Sequence, residues 1–378
     1  MRFNTDLRIG VLGGGQLGRM LLQSAININI DLMMMDADSN APCAKLVSDF
    51  RVGDLEDYDA VYNFGKGCNI LTIEIEKVNI EAMKKLQSEG VKVFPQPEII
   101  EMIQDKRVQK QFYVDHNIPT ASFVLTDGRE DLLKLVENFP AVHKIGKGGY
   151  DGRGVQVLKT KEDIAKAFDA PSLLEELVPF TKELAVIVSR NESGEIKTFP
   201  VVEMVSHPEH NLVEYLLSPA LLDKSVEERA KTVAVDVIKK LEMVGILAVE
   251  MFLTKENEIL VNEIAPRPHN SGHQSIEGNF VSQYDQHLRA ILNLPLGETT
   301  TKISSAMVNI LGEDGFTGNA KYEGMDEVMK IAGASVHLYG KKLTKPFRKM
   351  GHVTITDPSL SSLKRKIDLV KSTLKVKA

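Results

Sequence analysis

The sequence predicts an α/β protein that opens on a parallel sheet and continues into a second unit built around a glycine-rich flap. Three observations carry this reading. Apolar and helical runs alternate through the first hundred residues, the pattern of βαβ units and hence of parallel strands. Five glycines fall within the nine residues Gly146 to Gly154, just before an apolar run. Two acids, Glu250 and Glu263, each close an apolar run, with the short polar connection Thr254 to Glu258 between them. At 378 residues the chain is long enough for two or three domains.

In order, Arg8 to Gly13 reads as a buried strand, Gln16 to Ala25 as a helix and Asn29 to Met35 as a second strand ending at Asp36. Between the first two lies Gly13-Gly14-Gly15-Gln16-Leu17-Gly18, a G-x-G-x-x-G run, with Asp36 at nearly the spacing of a ribose-binding acid. Glycines let the backbone approach an anion, and the helix start supplies N–H groups. A dinucleotide, a substrate phosphate and a structural turn all remain open there. Strands follow at Ile70 to Ile75 and Val91 to Pro95, with a helix from Asn79 to Glu89. Glu74 and Glu76 close the first of these, where open parallel sheets bind ligands, or stand there simply solvated.

A helical run from Ile99 to His116 leads past a boundary near residue 100. Strands are expected at Ser122 to Leu125 and Ala141 to Lys144, joined by a helix at Arg129 to Asn138, with another strand at Val155 to Leu158. Glycine loses the most conformational entropy on ordering and buries no side chain, so a loop this rich in it reads as a flap over phosphates. Lys144 before the flap supplies a point charge, and Arg153 a planar fork for an anion. Leu173 to Val178 (LLEELV), with Glu183 beyond it, reads as a backbone edge for adenine followed by a ribose acid, or as an ordinary amphipathic strand and turn. Glu250 and Glu263 offer hard oxygen ligands to a divalent cation bridging phosphates. Asn262 to Ser275 (NEIAPRPHNSGHQS) then gathers polar groups at a strand end.

A net charge of -6 with interspersed signs gives no electrostatic reason to expect nucleic acid. No apolar stretch is long enough for a bilayer, and MRFNTDLRIG lacks the apolar segment of a signal peptide, so a cytoplasmic protein is expected. Cys43 and Cys68 lack metal-ligand spacing and read as free thiols.

From about residue 100 to 295 the order of Lys144, flap, Glu175 to Val178, Glu183, Glu250 and Glu263 resembles the ATP-grasp superfamily. GVLGGGQLGRM, GGYDGRG, NEIAPRPHNSGH and YGKKLTKPFRKMGHV extend the likeness over essentially the whole chain, to the 5-(carboxyamino)imidazole ribonucleotide synthase family. The resemblance implies an ATP-grasp fold with an N-terminal parallel-sheet domain (1–100), an ATP-grasp region (101–295) with a mobile lid at about 120–185, and a small C-terminal domain (296–378). It implies ATP and Mg2+, bicarbonate activated as carboxyphosphate, aminoimidazole ribonucleotide as acceptor, and a homodimer.

Residue by residue, the resemblance places Arg107, Lys144, Gly149, Tyr150, Asp151, Gly152, Arg153, Gly154, Val155, Glu175, Glu176, Leu177, Val178, Glu183, His207, Asn262 and Glu263 against ATP. Glu250 and Glu263 match the magnesium ligands. Gly15, Gln16, Leu17 and Glu74, with Tyr150, Arg153, Asn270, Ser271, His273, Lys341 and Arg348, fall to the ribonucleotide, the glycine loop cradling its 5′-phosphate. Asp151, Arg153, Arg267 and Lys341 are the expected catalytic groups: Arg153 and Arg267 for bicarbonate or the intermediate, Asp151 for the proton of the attacking amine. His210 competes with His207. Gln274 and Ser275 stand where the family often has an aromatic, and Lys345-Pro346-Phe347 replaces a more arginine- and glycine-rich run.

Overall fold

The computed structural model describes residues 6–149, 154–206 and 212–378. Its first unit is a parallel sheet of β1 (Ile9–Leu12), β2 (Leu32–Asp36), β3 (Asp49–Val52), β4 (Ile70–Ile73) and β5 (Lys92–Val93), in the order β3-β2-β1-β4-β5. β1 and β4 are buried throughout, the continuous apolar pattern of strands covered on both faces. Helices α1 (Gln16–Asn27), α2 (Tyr58–Gly65) and α3 (Ile80–Ser88) make the crossovers. Strand order reverses between β1 and β4, so the loops after these two strands flank the crevice where such sheets bind ligands. Sequence reasoning passed over β3 and α2. β3 (DFRV) has no buried residue, and α2 is a short helix defined by its Asp57 cap.

The expected helix from Ile99 to His116 is two helices, α4 (Pro97–Gln104) and α5 (Lys106–Asp115). Asp105 divides them, because its carboxylate accepts the Arg107 N–H at 3.0 Å and caps α5 instead of continuing α4. The break is fixed to the flap base, where the Lys106 N–H donates to the Gly146 carbonyl at 2.8 Å. Beyond it lies an antiparallel sheet of β6 (Phe123–Thr126), β7 (Ala141–Ile145), β8 (Val155–Leu158) and β9 (Ser172–Glu176), in the order β6-β9-β7-β8. The helix expected at Arg129 to Asn138 is a single turn, α6 (Arg129–Leu132), and a 3-10 turn at Val136–Asn138.

The largest sheet holds β10 (Phe180–Arg190), β11 (Ile196–Thr198), β12 (Val202–Ser206), β13 (Val213–Ser218), β14 (Gly245–Thr254) and β15 (Ile259–Ala265), ordered β15-β14-β10-β12-β13 with β11 on β10. α7 (Lys224–Lys240) covers one face of it through Val226, Ala230, Ala234 and Val237. α8 (Ser275–Gly278) and α9 (Gln283–Ile291) follow, and Tyr284, Leu288 and Ile291 of α9 share a core with α1 and β1. The first sheet is therefore packed onto the second unit.

The sheet does not end at residue 296. β16 (Ser305–Leu311) pairs with β13. Past β17 (Gly318–Asn319), β18 (Lys321–Glu323) and α10 (Met325–Met329), β19 (Ala334–Leu338) joins the far edge through β21 (Lys349–Thr356). β20 (Leu343–Thr344) pairs with β17, and after α11 (Leu360–Thr373) the last strand, β22 (Lys375–Lys377), pairs with β18. These elements have their own core around Val353, Ile355, Leu363 and Ile367 while extending a common sheet. Among the described residues no helix is long and apolar enough to cross a membrane.

Candidate active site

β14 and β15 are joined by the expected tight connection, and Glu250 and Glu263 are register partners across it. Directly opposed residues stand about 5 Å apart, so two carboxylates lie side by side. Their surroundings separate them. Glu250 is the deeper, its side chain 17% exposed, and burial followed by the charges of Glu263 and Glu183 pushes it up to about 8. Glu263 is 46% exposed on the open side, with Lys106 Nζ at 2.9 Å from its Oε2; that ammonium is the main cause holding it down, at about 2. Burial, and after it the repulsion of the adjacent anion, keeps a proton on the pair. Two adjacent hard oxygen donors suit a divalent cation, which would displace the proton from Glu250. Among the described residues no cluster of three possible metal ligands forms, so a cation here would complete its shell with phosphate oxygens and water.

Three lysines converge on this pair and on Glu175. Lys144 Nζ donates to Asn262 Oδ1 at 2.8 Å and lies 2.5 Å from Glu175 Oε2, while Lys110 reaches the other oxygen of Glu175. Lys106 and Lys110, four residues apart on α5, share one helix face, and that face meets Glu263 and Glu175. Arg107 is turned off it. Its guanidinium lies 3.4 Å from the Asp105 carboxylate and 3.8 Å from Asp127 Oδ1, so the cation on the acid pair is its neighbour Lys106. The lysine pair at helical spacing was the available signal for Lys106, and sequence reasoning did not use it. Nearby, β9 stops at Glu176, short of the expected Val178, with Leu177 exposed and Val178 buried. Glu183 Oε2 accepts from Ser206 Oγ at 2.6 Å. At the flap base, Gly154 has φ +85, a conformation that favours glycine, and its carbonyl accepts the Ile145 N–H. Gly149 and Val155 flank the flap, whose Tyr150, Asp151, Gly152 and Arg153 lie outside the described residues, as do His207 and His210.

The glycine loop after β1 is already supplied with anions from its own chain. The Gly14 N–H donates to Asp36 Oδ2 at 2.8 Å, and the Gly15 and Gly18 N–H groups donate to the two oxygens of Glu74. Asp36, engaged with Gly14 and with the Asp38 N–H, is thus a fastener of the loop, which removes the main support for a dinucleotide there. A phosphate lying on Gly15, Gln16 and Leu17 would have to move Glu74. Glu76 reaches the other way, its Oε1 2.9 Å from Arg267 Nη2, and so ties the end of β4 to the segment after β15. It is not merely solvated.

The polar segment after β15 divides into cleft groups and supports. His269 Nδ1 lies 3.6 Å from Glu250 Oε1 and 2.9 Å from Ser271 Oγ. Asn270 exchanges amide hydrogen bonds with Asn309 of β16 at 3.0 and 3.3 Å. His273 is fully buried against Tyr284 and Gln283, each 3.0 Å from its Nδ1, and burial keeps its ring neutral, well below the usual imidazole range. That environment makes His273 and Ser271 supports of the loop. Near the C-terminus, Lys341 Nζ donates to the Lys349 carbonyl at 2.9 Å and sits over the Tyr339 ring, while Arg348 Nη1 donates to the Leu343 carbonyl at 2.7 Å. The charge from this region that acts on Glu250 is that of Lys349, which sequence reasoning did not single out.

Comparison with known proteins identifies the family. Residues 7–104 match the ribonucleotide synthetase preATP-grasp domain, 111–284 the ATP-grasp domain, and 305–366 the phosphoribosylaminoimidazole carboxylase C-terminal domain. The chain is 41% identical to the chloroplastic phosphoribosylaminoimidazole carboxylase of Vigna aconitifolia over 97% of its own length and 67% of that protein. The N5-carboxyaminoimidazole ribonucleotide synthetase of Thermotoga maritima superposes with a TM-score of 0.92 at 40% identity, covering 98% of this chain and 99% of that one. The Aspergillus clavatus N5-carboxyaminoimidazole synthase, solved with ADP and 5-aminoimidazole ribonucleotide, gives 0.88 at 33% identity over 97% and 99%. With three domain matches in series and near-complete coverage of a relative at 40% identity, the chain belongs to the N5-carboxyaminoimidazole ribonucleotide synthetase family of ATP-grasp proteins.

Proposed function

We propose that this protein carboxylates the exocyclic amine of 5-aminoimidazole ribonucleotide with bicarbonate, cleaving ATP to ADP and phosphate through carboxyphosphate, as a ligase of purine biosynthesis. The observation that supports this most directly is the convergence of Lys106 and Lys144 on the strand pair that carries Glu250 and Glu263, with Arg267 tied through Glu76 to the N-terminal sheet.

Lys144 and Lys106 meet the triphosphate, and Glu175 holds Lys144 in place. The stretch from Glu175 and Glu176 through Leu177 to Val178 offers its backbone to adenine, and Glu183 offers oxygens to the ribose hydroxyls. Glu250 and Glu263 would hold magnesium, which when bound neutralises phosphate oxygens. A bicarbonate oxygen attacks the γ-phosphorus as the bond to ADP breaks; the substrate amine then attacks the carboxyl carbon and phosphate leaves. Arg267, with Arg153 of the flap, holds the bicarbonate and the acyl phosphate, and Asp151 takes the amine proton. Closure of the flap keeps water from the intermediate. Glu74 and the Gly15 to Leu17 loop, with Asn270, Lys341 and Arg348, hold the ribonucleotide. The protein acts as a homodimer in the cytoplasm, where buried Cys43 and Cys68 stay free thiols.

The test is ADP formation measured with magnesium, bicarbonate and the ribonucleotide, each omitted in turn. All three are expected to be required, Glu263→Gln to abolish ATP cleavage and Lys341→Ala to weaken the ribonucleotide. ADP release indifferent to bicarbonate and ribonucleotide, or full activity in both variants, overturns the reading.

A further inference from the structure

Arg267 leaves β15 beside the acid pair, and a long, flexible guanidinium must be fixed before an anion as small as bicarbonate can be held at one angle. An unrestrained arginine carries about 2 kcal/mol of rotamer entropy. Part of the restraint is local, Arg267 Nη1 donating to the Pro268 carbonyl at 3.1 Å, and part comes from another domain: Glu76 Oε1 lies 2.9 Å from Arg267 Nη2, with the two side chains only 23% and 18% exposed. Glu76 is itself held. Gln104, the last residue of α4, donates through Nε2 to the carbonyls of Glu76 and Val78 at 2.7 and 3.1 Å. Gln104 stands two residues before Lys106, whose ammonium meets Glu263. On the other side, Glu74, two residues before Glu76, holds the loop after β1. The segment after β4 thus fastens the glycine loop with one acid and Arg267 with the next.

We propose that Glu76 is a positioning residue for the carboxylation step, fixing the Arg267 guanidinium so that bicarbonate and the acyl phosphate meet a preset fork. This rests on the function proposed above and adds a residue to it. It also makes a prediction with a definite sign. Glu76 is an anion beside an anion site, so if it were only a bystander its removal would relieve repulsion and lower KM for bicarbonate. As a positioning residue its removal acts in the opposite sense.

Steady-state ADP formation is measured for wild type, Glu76→Ala, Glu76→Asp, Arg267→Lys and the double variant Glu76→Ala/Arg267→Lys, with bicarbonate and ATP varied separately and thermal unfolding recorded alongside. Glu76→Ala is expected to reduce kcat/KM for bicarbonate roughly tenfold or more, the scale of a charge-assisted hydrogen bond, with KM for ATP unchanged. Glu76→Asp should recover part of the loss, and the double variant should be no worse than Arg267→Lys alone. A lowered or unchanged bicarbonate KM with normal kcat in Glu76→Ala overturns the assignment, as does full additivity in the double variant. Should Glu76→Ala fail to fold, the Glu76→Asp kinetics decide: a bicarbonate defect with ATP kinetics intact supports positioning, and wild-type kinetics overturn it. Wild-type protein that forms no ADP in response to bicarbonate and ribonucleotide defeats the proposed function; wild-type protein that does, beside unaffected Glu76 variants, defeats this inference alone.

Discussion

Replacing Glu175 with glutamine removes the single anion from a buried group of three charges. Lys110 and Lys144 both reach its carboxylate, and the side chains of Lys110, Lys144 and Glu175 are 3%, 11% and 4% exposed. Burial works to raise Glu175, yet the two ammoniums outweigh it and hold the carboxyl below its ordinary range. One carboxylate cannot serve two ammoniums equally, and Lys110 is the loser: burial brings it down from 10.5 to about 8 in spite of Glu175. Since Lys110 gives up its proton more readily in the folded chain, its contribution to stability is complete above 10.5 and falls away as pH drops through about 8. Glu175→Gln leaves two buried ammoniums facing an amide, a loss of about 3–5 kcal/mol at neutral pH. A ceiling of roughly 5 kcal/mol applies at pH 7, because a stranded lysine can shed its proton instead. The chain has no tryptophan, so urea unfolding is followed by far-UV circular dichroism at pH 7 and pH 10. The deficit should shrink at the higher pH, and adding Lys110→Met should restore part of it. A loss below about 1 kcal/mol at pH 7, or a double variant less stable than the single one, would refute this account of the triad.

Three further outcomes follow from the site. Lys106→Met should slow ATP cleavage by about two orders of magnitude, the usual effect of removing one preorganised charge, whereas Arg107→Met, already paired with Asp105 and Asp127, should change it less than about fivefold. Glu250 is raised to about 8, so it must lose a proton to take a cation; the magnesium concentration for half-maximal ADP formation should fall steeply from pH 6 to pH 8 and level off above, and Glu250→Gln should abolish that dependence together with most activity. Once a 5′-phosphate takes the Gly15 and Gly18 N–H groups, the displaced Glu74 carboxylate becomes an acceptor for the ribonucleotide, so Glu74→Gln should raise KM for the ribonucleotide by roughly tenfold, leaving KM for ATP in place, as a two-substrate kinetic matrix would reveal.

The parts of the site legible in the sequence were those whose spacing is itself geometry. Glu250 and Glu263 stand at nearly equal distances from the tight turn at Thr254 to Glu258, so a hairpin brings them opposite one another, although both lie inside their strands and neither closes one as expected. Lys144, on the strand leading to the flap, likewise lies against Asn262, next to Glu263. The glycine loop was harder, because a run of N–H groups at a helix start announces an anion without saying whose. Glu74 lies 56 residues beyond Gly18 in the chain, and only the parallel pairing of β1 with β4 brings it onto the loop. The C-terminal unit was legible as a domain, while its attachment to the large sheet was not. Its own core made it look separable, while the backbone pairing of β13 with β16 runs between segments nearly a hundred residues apart and leaves no mark in either segment.

Helix phase explains why Lys106, and not Arg107 beside it, is the cation on the acid pair. One residue along an α-helix turns a side chain by about 100°, so a chemically similar neighbour points at a different part of the molecule. Reading the segment as one helix from Ile99 gave no reason to prefer either residue. Once Asp105 restarts the helix, Lys106 becomes its first residue, and the phase is set by the cap and by the bond from the Lys106 N–H to Gly146. Lys106 and Lys110 then fall together on the face toward Glu263 and Glu175, and Arg107 turns back toward the cap itself. A single capping aspartate thereby decides which cation meets the acid pair. Asp105→Ala should for this reason impair ATP cleavage as well as stability, although its carboxylate is bonded to Arg107 and not to either acid of the pair.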